Sequence, residues 1–236
     1  MGTEFFKKNR NRFEYASWVN LEKNFFYVET PKVACSTIKV ALQRISGLPL
    51  PKNLMSIHYR NPKNLFVHNI FHYEAEITKI LSSNNVFKFC FVRNPVSRLE
   101  SAFKDKILNS RGSFWEKYRR DIRDMFSLSL NDEIDFECFV SYVKSLDDDK
   151  RDIHWRSQYS LLRPDIIPYD FIGKQENFAE SFAYALGRIG VSEPFSYLDM
   201  KVNSSPNIQK NKNDVAEQLK DEIREIYAKD VEVFGY

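Results

Sequence analysis

Two short apolar segments, each followed by a turn and a helix, most strongly constrain the fold of this chain. Residues 24–29 (NFFYVE) and 87–92 (FKFCFV) have the length and the aromatic content of buried strands. Apolar residues then recur at helical spacing in residues 36–45 and 96–108. Strands that alternate with helices predict an α/β fold, with a P-loop-like central parallel sheet flanked by helices.

The chain has 236 residues, enough to bury a substantial core. We predict a single domain over residues 25–236, preceded by an N-terminal extension at 1–24. A third strand is expected at 169–172, and the section 110–149 is expected to be mostly helical. The remaining predicted segments are helices at 74–81, 176–189 and 215–228 and a flexible loop at 203–214.

The charge of the chain is too mild to indicate a nucleic-acid partner, and none is expected. The net charge is only +3, which is compatible with an anionic small ligand held by a few cations. The basic cluster at residues 7–12 is interpreted as a solvated terminus.

The cysteines and the absence of long apolar runs lead to an expected location. No apolar run approaches the roughly 20 residues of a membrane span, and the N-terminus lacks the apolar stretch of a secretory signal. The chain has an odd number of cysteines, namely Cys35, Cys90 and Cys138, and their spacing matches no metal motif. This cysteine usage suits a reducing compartment. We expect a cytoplasmic protein without a transmembrane segment; the alternative is a soluble luminal domain.

Residues 31–39 (PKVACSTIK) join the first strand to the first helix. Such a turn directs backbone N–H groups and the positive end of the helix dipole toward one small space. Ser36 and Thr37 can cap the helix and offer hydroxyls to an anion, and Lys32 can reach the same anion. An ordinary capped turn would give the same pattern. The glycines of the Walker motif and a Walker-type Asp are missing, which disfavours an ATPase or kinase.

A second candidate anion site follows the second strand. Arg93 stands at the end of that strand, where a guanidinium suits bidentate phosphate recognition. Ser101 lies about two helical turns later, so the chain must fold back to bring both to one phosphate. The alternative is a surface Arg with an unrelated Ser on a helix face.

Taken in order, these motifs resemble those of the Golgi carbohydrate sulfotransferases, which include the chondroitin, dermatan and HNK-1 enzymes. PKVACST is similar to their 5′-phosphosulfate loop, and VRNPVSRLESAF is similar to their 3′-phosphate motif. The segments HWRSQ (154–158) and YDFIGKQE (169–176) also resemble family elements. Ser157 replaces a family Pro, and Asn94 replaces a frequent Asp. Asn203-Ser204-Ser205 resembles a loop that closes over the donor.

The resemblance implies transfer of a sulfuryl group from 3′-phosphoadenosine 5′-phosphosulfate (PAPS) to a carbohydrate hydroxyl, without a metal. Lys32 would contact the bridging oxygen and the sulfuryl group, and Arg98 would brace the turn through an ion pair. The expected contacts to the 5′-phosphate come from Val33, Ala34, Cys35, Ser36 and Thr37. Arg93 and Ser101 would bind the 3′-phosphate.

The reaction also needs a general base for the acceptor hydroxyl, and His suits that role near neutral pH. The chain has four His residues: His58, His68, His72 and His154. Related heparan-type enzymes place a catalytic His shortly before the second strand, which favours His68, with His72 as the alternative. His154 is interpreted as structural or as part of a cleft wall, and Glu29 is the outside candidate.

Two other functions remain as alternatives. The first is a P-loop-type kinase that uses ATP and Mg²⁺. The second is a non-catalytic protein that binds a nucleotide or a glycan. Residues 48–72 and 110–153, which would shape an acceptor pocket, contain no signature for a particular acceptor.

Overall fold

The two apolar segments form the centre of a β-sheet. The computed structural model of the protein describes residues 15–50, 57–58, 77–110, 112–197 and 215–236. Its strands are β1 (Ser17–Asn20), β2 (Phe25–Val28), β3 (Phe87–Val92) and β4 (Phe171–Lys174). They lie in the order β1-β2-β3-β4, with β1 antiparallel to β2 and the other neighbours parallel. The predicted α/β fold with a central, mostly parallel sheet is confirmed.

Helices connect and follow these strands. In chain order they are α1 (Cys35–Ile45), α2 (Ile77–Ser82), α3 (Pro95–Ala102), α4 (Ser113–Phe126), α5 (Phe136–Ser145), α6 (Gln158–Leu162), α7 (Phe178–Arg188), α8 (Glu217–Ile226) and α9 (Ala228–Phe234). A π-helical stretch, Phe103–Asn109, continues α3. Short 3-10 turns occur at Asp148–Lys150, Gln175–Asn177 and Pro194–Tyr197.

The described chain divides into two compact units, and the first contains the sheet. This unit comprises described residues up to Val92 and from Leu162 to Tyr197. Alternate strand residues such as Tyr27, Phe89 and Phe91 are fully buried and pack with apolar residues of α1 and α7. Gly173 is required beside Phe91, because a Cβ there would collide with the buried ring. The Phe residues of the central strands thus serve core packing.

The second unit comprises residues 93–161 and the described residues from 215 to the C-terminus. Its core surrounds Trp155, which is fully buried. The rings of Tyr118 and Phe139 meet Trp155 edge-on at centroid distances of 4.9 and 5.4 Å. The Tyr227 hydroxyl donates to the Trp155 carbonyl at 2.5 Å, which ties the C-terminal helices to this core.

Several boundaries differ from the prediction. Strand β1 lies within the segment assigned to an N-terminal extension; its SWVN sequence is half polar, so hydropathy does not reveal it. The predicted helix at 96–108 keeps α-helical geometry only to Ala102. The third predicted strand lies two residues later, at Phe171–Lys174. The predicted loop at 203–214 lies outside the described residues.

Candidate active site

The loop between β2 and α1 has an unusual backbone. Lys32 and Ala34 have φ angles of 73° and 65°, although neither is glycine. Non-glycine residues adopt this left-handed region infrequently, at about 1–2 kcal/mol each, and such residues cluster at functional sites. Left-handed residues in a tight turn are also typical of concavities in which backbone N–H groups bind an anion.

The start of α1 contradicts the predicted side-chain caps but suits the predicted anion site. The N-cap residue is Ala34, and it contributes no side-chain capping bond, so Ser36 and Thr37 are not the caps. The left-handed backbone at Ala34 starts the helix at Cys35, which places Ser36 inside the first turn. The first-turn N–H groups therefore receive no side-chain cap from Ala34, and a bound anion can satisfy them.

A chain of polar side chains leads from Ser36, in the first turn of α1, to Glu29, just after β2. Glu29 and Lys39 are buried, with 6% and 1% of their surface exposed. The Lys39 Nζ lies 2.7 Å from the Glu29 Oε2 and forms an ion pair with it. The angles of this contact are not those of a hydrogen bond. The same Nζ is 2.7 Å from the His58 Nδ1, and the His58 Nε2 is 2.8 Å from the Ser36 Oγ. The interactions of these residues were not anticipated from the sequence.

Cys35, the first residue of α1, has a thiol whose pKa is raised. Burial raises its pKa, and the nearby charges of Lys39 and Lys32 only partly oppose this rise. All three cysteines are free; Cys90 is buried, whereas Cys35 and Cys138 are half-buried. A neutral Cys35 leaves the loop without a competing negative charge.

The second predicted anion segment begins at the end of β3. Asn94 caps α3, and its side chain accepts from the backbone N–H groups of Val96 and Ser97. The Arg93 Nε donates to the Ser97 Oγ at 3.0 Å. Ser97 and Ser101 are four residues apart on α3, so they share a helix face. The hydrogen bond to Ser97 therefore places the Arg93 side chain at the helix face that also carries Ser101, and no fold-back loop is needed. Sequence reasoning did not single out Ser97.

Gln158 holds the backbone of Arg93 from both sides. Its Oε1 accepts from the Arg93 N–H at 2.9 Å, and its Nε2 donates to the Arg93 carbonyl at 2.8 Å. Asp230 in turn accepts from the N–H groups of Gln158 and Tyr159 at 2.8 and 2.7 Å. Burial raises the pKa of Asp230, while these donors and the Arg98 charge oppose the rise. Gln158 and Asp230 therefore fix the position of Arg93.

Arg98 is buried, and two of its hydrogen bonds go to backbone carbonyls. Its Nη1 donates to the Arg156 carbonyl at 2.8 Å, and its Nη2 donates to the Ile153 carbonyl at 3.1 Å. Burial lowers the pKa of this guanidinium. These bonds fasten α3 to the HWRSQ segment and to the residue just before it.

His58 belongs to the chain of polar side chains described above, and the other three His residues differ in whether the structure describes them. His68 and His72, the predicted base and its alternative, lie outside the described residues, as does the Asn203-Ser204-Ser205 segment. The His154 Nδ1 lies 2.6 Å from the Asp152 Oδ1, and its ring meets Trp115 edge-on at 5.3 Å. This environment agrees with a structural role for His154.

We expect Gln158→Ala to loosen the Arg93 segment. The change leaves the N–H and C=O of Arg93 without their Gln158 partners, at a cost of about 1–3 kcal/mol in the free energy of unfolding. Urea denaturation measures the loss, and hydrogen exchange should show faster exchange at the Arg93 amide. Gln218→Ala, at an exposed position of α8, is the control and should change neither quantity. Unchanged exchange at Arg93 would show that Gln158 does not hold this backbone.

Comparison with known proteins adds to this geometry. The model of the sulfotransferase family matches residues 15–236. Carbohydrate sulfotransferase 14 of Danio rerio is 28% identical over 92% of this chain and 61% of its own length. Carbohydrate sulfotransferase 9 of Homo sapiens is 28% identical over 88% of this chain and 48% of its own length. Carbohydrate sulfotransferase 10 of Homo sapiens is 31% identical over 89% of this chain and 64% of its own length.

The chain thus spans about half to just under two thirds of the length of these relatives. No solved structure matches it. Among the helices of the described residues, none is long and apolar enough to cross a membrane.

Proposed function

The chain belongs to the sulfotransferase family, and we propose that it transfers a sulfuryl group from PAPS to a hydroxyl of a carbohydrate. The observation that carries the proposal is the β2–α1 loop, where left-handed Lys32 and Ala34 lead into a helix start without a side-chain cap. This backbone suits a bound phosphate. The carbohydrate acceptor is inferred from the names of the relatives.

The loop fits the 5′-phosphosulfate end of the donor. Lys32 contributes positive charge at the bridging oxygen and the sulfuryl group. The backbone of Val33, Ala34 and Cys35 and the hydroxyls of Ser36 and Thr37 surround the 5′-phosphate. The chemistry of these donors, namely N–H groups, hydroxyls and an ammonium group, matches an anion.

The segment after β3 fits the 3′-phosphate. Arg93 is held by Gln158 through its backbone and by Ser97 through its Nε. A guanidinium held in this way loses little freedom when it binds a phosphate. Ser101 adds a hydroxyl from the same helix face as Ser97. Recognition of the 3′-phosphate separates PAPS from other adenylates.

The proposed reaction is an in-line displacement at sulfur. The acceptor oxygen forms a new S–O bond while the S–O bond to the 5′-phosphate breaks, and adenosine 3′,5′-bisphosphate leaves. The hydroxyl proton passes to a general base, for which we propose His68, with His72 as the alternative. Lys32 neutralises the charge that develops on the leaving phosphate oxygen. The proposed reaction needs no metal ion.

Ligand-induced stabilisation and sulfate transfer test this function together. Adenosine 3′,5′-bisphosphate at about 100 times its Kd should stabilise the protein by about 2.7 kcal/mol, which corresponds to roughly 5–10 °C in Tm for a chain of this size. ATP with Mg²⁺ should have little effect. Labelled PAPS should transfer its sulfate to members of a panel of sugars and polysaccharides, as measured by mass gain.

The alternatives predict other outcomes of the same experiment. Stabilisation by ATP with Mg²⁺ but not by the bisphosphate would favour a kinase. Stabilisation by the bisphosphate without transfer to any carbohydrate would favour a non-catalytic nucleotide-binding protein. Transfer that persists in a His68→Ala, His72→Ala double variant would contradict the proposed base.

A further inference from the structure

Of the chain of polar side chains that begins at Ser36, only Ser36 itself has a role in the function proposed so far. Four residues form this relay: Glu29 after β2, Ser36 and Lys39 in α1, and His58. Glu29, Lys39 and Ser36 are buried, and all four lie in the first unit. Burial of charged groups is costly unless they are paired, so a relay at this place calls for an explanation.

The donors and acceptors of the relay determine the protonation of His58. An ammonium group can only donate, so the His58 Nδ1, at 2.7 Å from the Lys39 Nζ, must accept. The ring is therefore neutral, and its proton lies on Nε2. A doubly protonated ring would place two positively charged donors against each other at that distance. Glu29 balances the charge of Lys39, so the relay as a whole is neutral.

This tautomer orients the Ser36 hydroxyl. Because the His58 Nε2–H donates to the Ser36 Oγ at 2.8 Å, one acceptor position of the hydroxyl oxygen is occupied. The hydroxyl hydrogen then points away from His58. Ser36 lies in the first turn of α1, the helix whose start receives no side-chain cap from Ala34. A hydroxyl fixed as a donor binds an anion better than one that can rotate its lone pairs toward it.

We propose that His58 is a positioning residue, which acts through Ser36 to hold a hydroxyl donor toward the 5′-phosphate of the sulfuryl donor. The inference rests on the proposed function, because it takes the anion at this loop to be that phosphate. Because Nε2 carries the proton and the lone pair of Nδ1 is directed at Lys39, neither ring nitrogen of His58 is placed to accept the proton of the acceptor hydroxyl. Glu29 and Lys39 set its tautomer.

A double-mutant cycle tests whether His58 acts through Ser36. Isothermal titration gives the Kd of adenosine 3′,5′-bisphosphate for the wild type, His58→Ala, Ser36→Ala and the double variant. Each single variant should bind about tenfold more weakly, and the double variant should also be about tenfold weaker, not about a hundredfold. His58→Gln, which offers one acceptor and one donor, should recover most of the affinity.

The outcomes separate this inference from the function on which it rests. If the wild type does not bind the bisphosphate, the proposed function fails and the inference fails with it. If the wild type binds but His58→Ala binds equally well, or the two losses multiply, only the inference is wrong. A Tm measured for each variant verifies folding.

A measurement on the wild type alone guards against variants that do not fold. Long-range ¹⁵N–¹H spectra of the four His side chains report the tautomer of each ring. The His58 signal is identified because it disappears in His58→Gln, or by assignment from the backbone. At pH 7 it should show a neutral ring protonated at Nε2. A ring protonated at Nδ1, or at both nitrogens, would overturn the inference.

Discussion

Replacement of Lys32 by alanine is expected to lower kcat for sulfuryl transfer by about 100- to 1,000-fold, the loss typical when one preorganised donor at a developing anion is removed. Burial raises the pKa of the Cys35 thiol, and the charges of Lys39 and Lys32 partly oppose that rise. Lys39 is paired with Glu29, so its charge is already balanced. Lys32 lies in the loop itself, whereas Lys39 lies within α1, and Lys32 is the cation that we assign to the transferring group.

The substitution Lys32→Ala removes the side-chain charge and leaves the backbone requirement of the loop unchanged. Lys32 has a φ of 73°, and alanine meets the same backbone restriction as lysine, so the loop conformation is not made easier or harder. Transfer of labelled sulfate to an acceptor from the carbohydrate panel gives kcat and KM. Lys23→Ala, in the exposed turn between β1 and β2, is the matched control and should retain wild-type activity. Near-normal kcat in Lys32→Ala would contradict the assigned role.

The order of strands, turns and helices could be predicted because each central strand is a continuous apolar run that ends in a turn. β3 is the clearest case, since all six of its residues are buried and its predicted bounds agree with the structure. β1 could not be predicted in the same way. Its Ser17 and Asn20 are buried but polar, and backbone pairing with β2 decides its place.

The candidate site could be predicted only where its residues are close in sequence. Lys32 and Ser36 fall in one short turn, and Arg93 and Ser101 fall in one strand–helix junction. The contacts that position them join residues far apart: His58 is 22 residues from Ser36, and Gln158 is 65 residues from Arg93. No local pattern encodes such contacts, because they depend on how the elements pack.

The Arg93 segment leads to the second large effect. Arg93→Ala should weaken binding of adenosine 3′,5′-bisphosphate by about 100-fold, or about 2.7 kcal/mol, within the range for hydrogen bonds to a charged group. Binding of adenosine 5′-monophosphate, which lacks the 3′-phosphate, should change little. Isothermal titration with both ligands measures the difference. Arg120→Ala, at an exposed position of α4, is the control and should leave both Kd values unchanged.

The comparison of two ligands distinguishes recognition from folding. A variant that only disturbs the loop after β3 would lose affinity for both nucleotides, which would contradict a specific contact of Arg93 with the 3′-phosphate. Arg93→Lys refines the test, because lysine keeps the charge but loses the planar fork and the Nε that donates to Ser97. We expect Arg93→Lys to bind the bisphosphate with intermediate affinity. If it binds as tightly as the wild type, charge alone would account for recognition, and the contacts from Ser97 and Gln158 would serve the fold rather than the ligand.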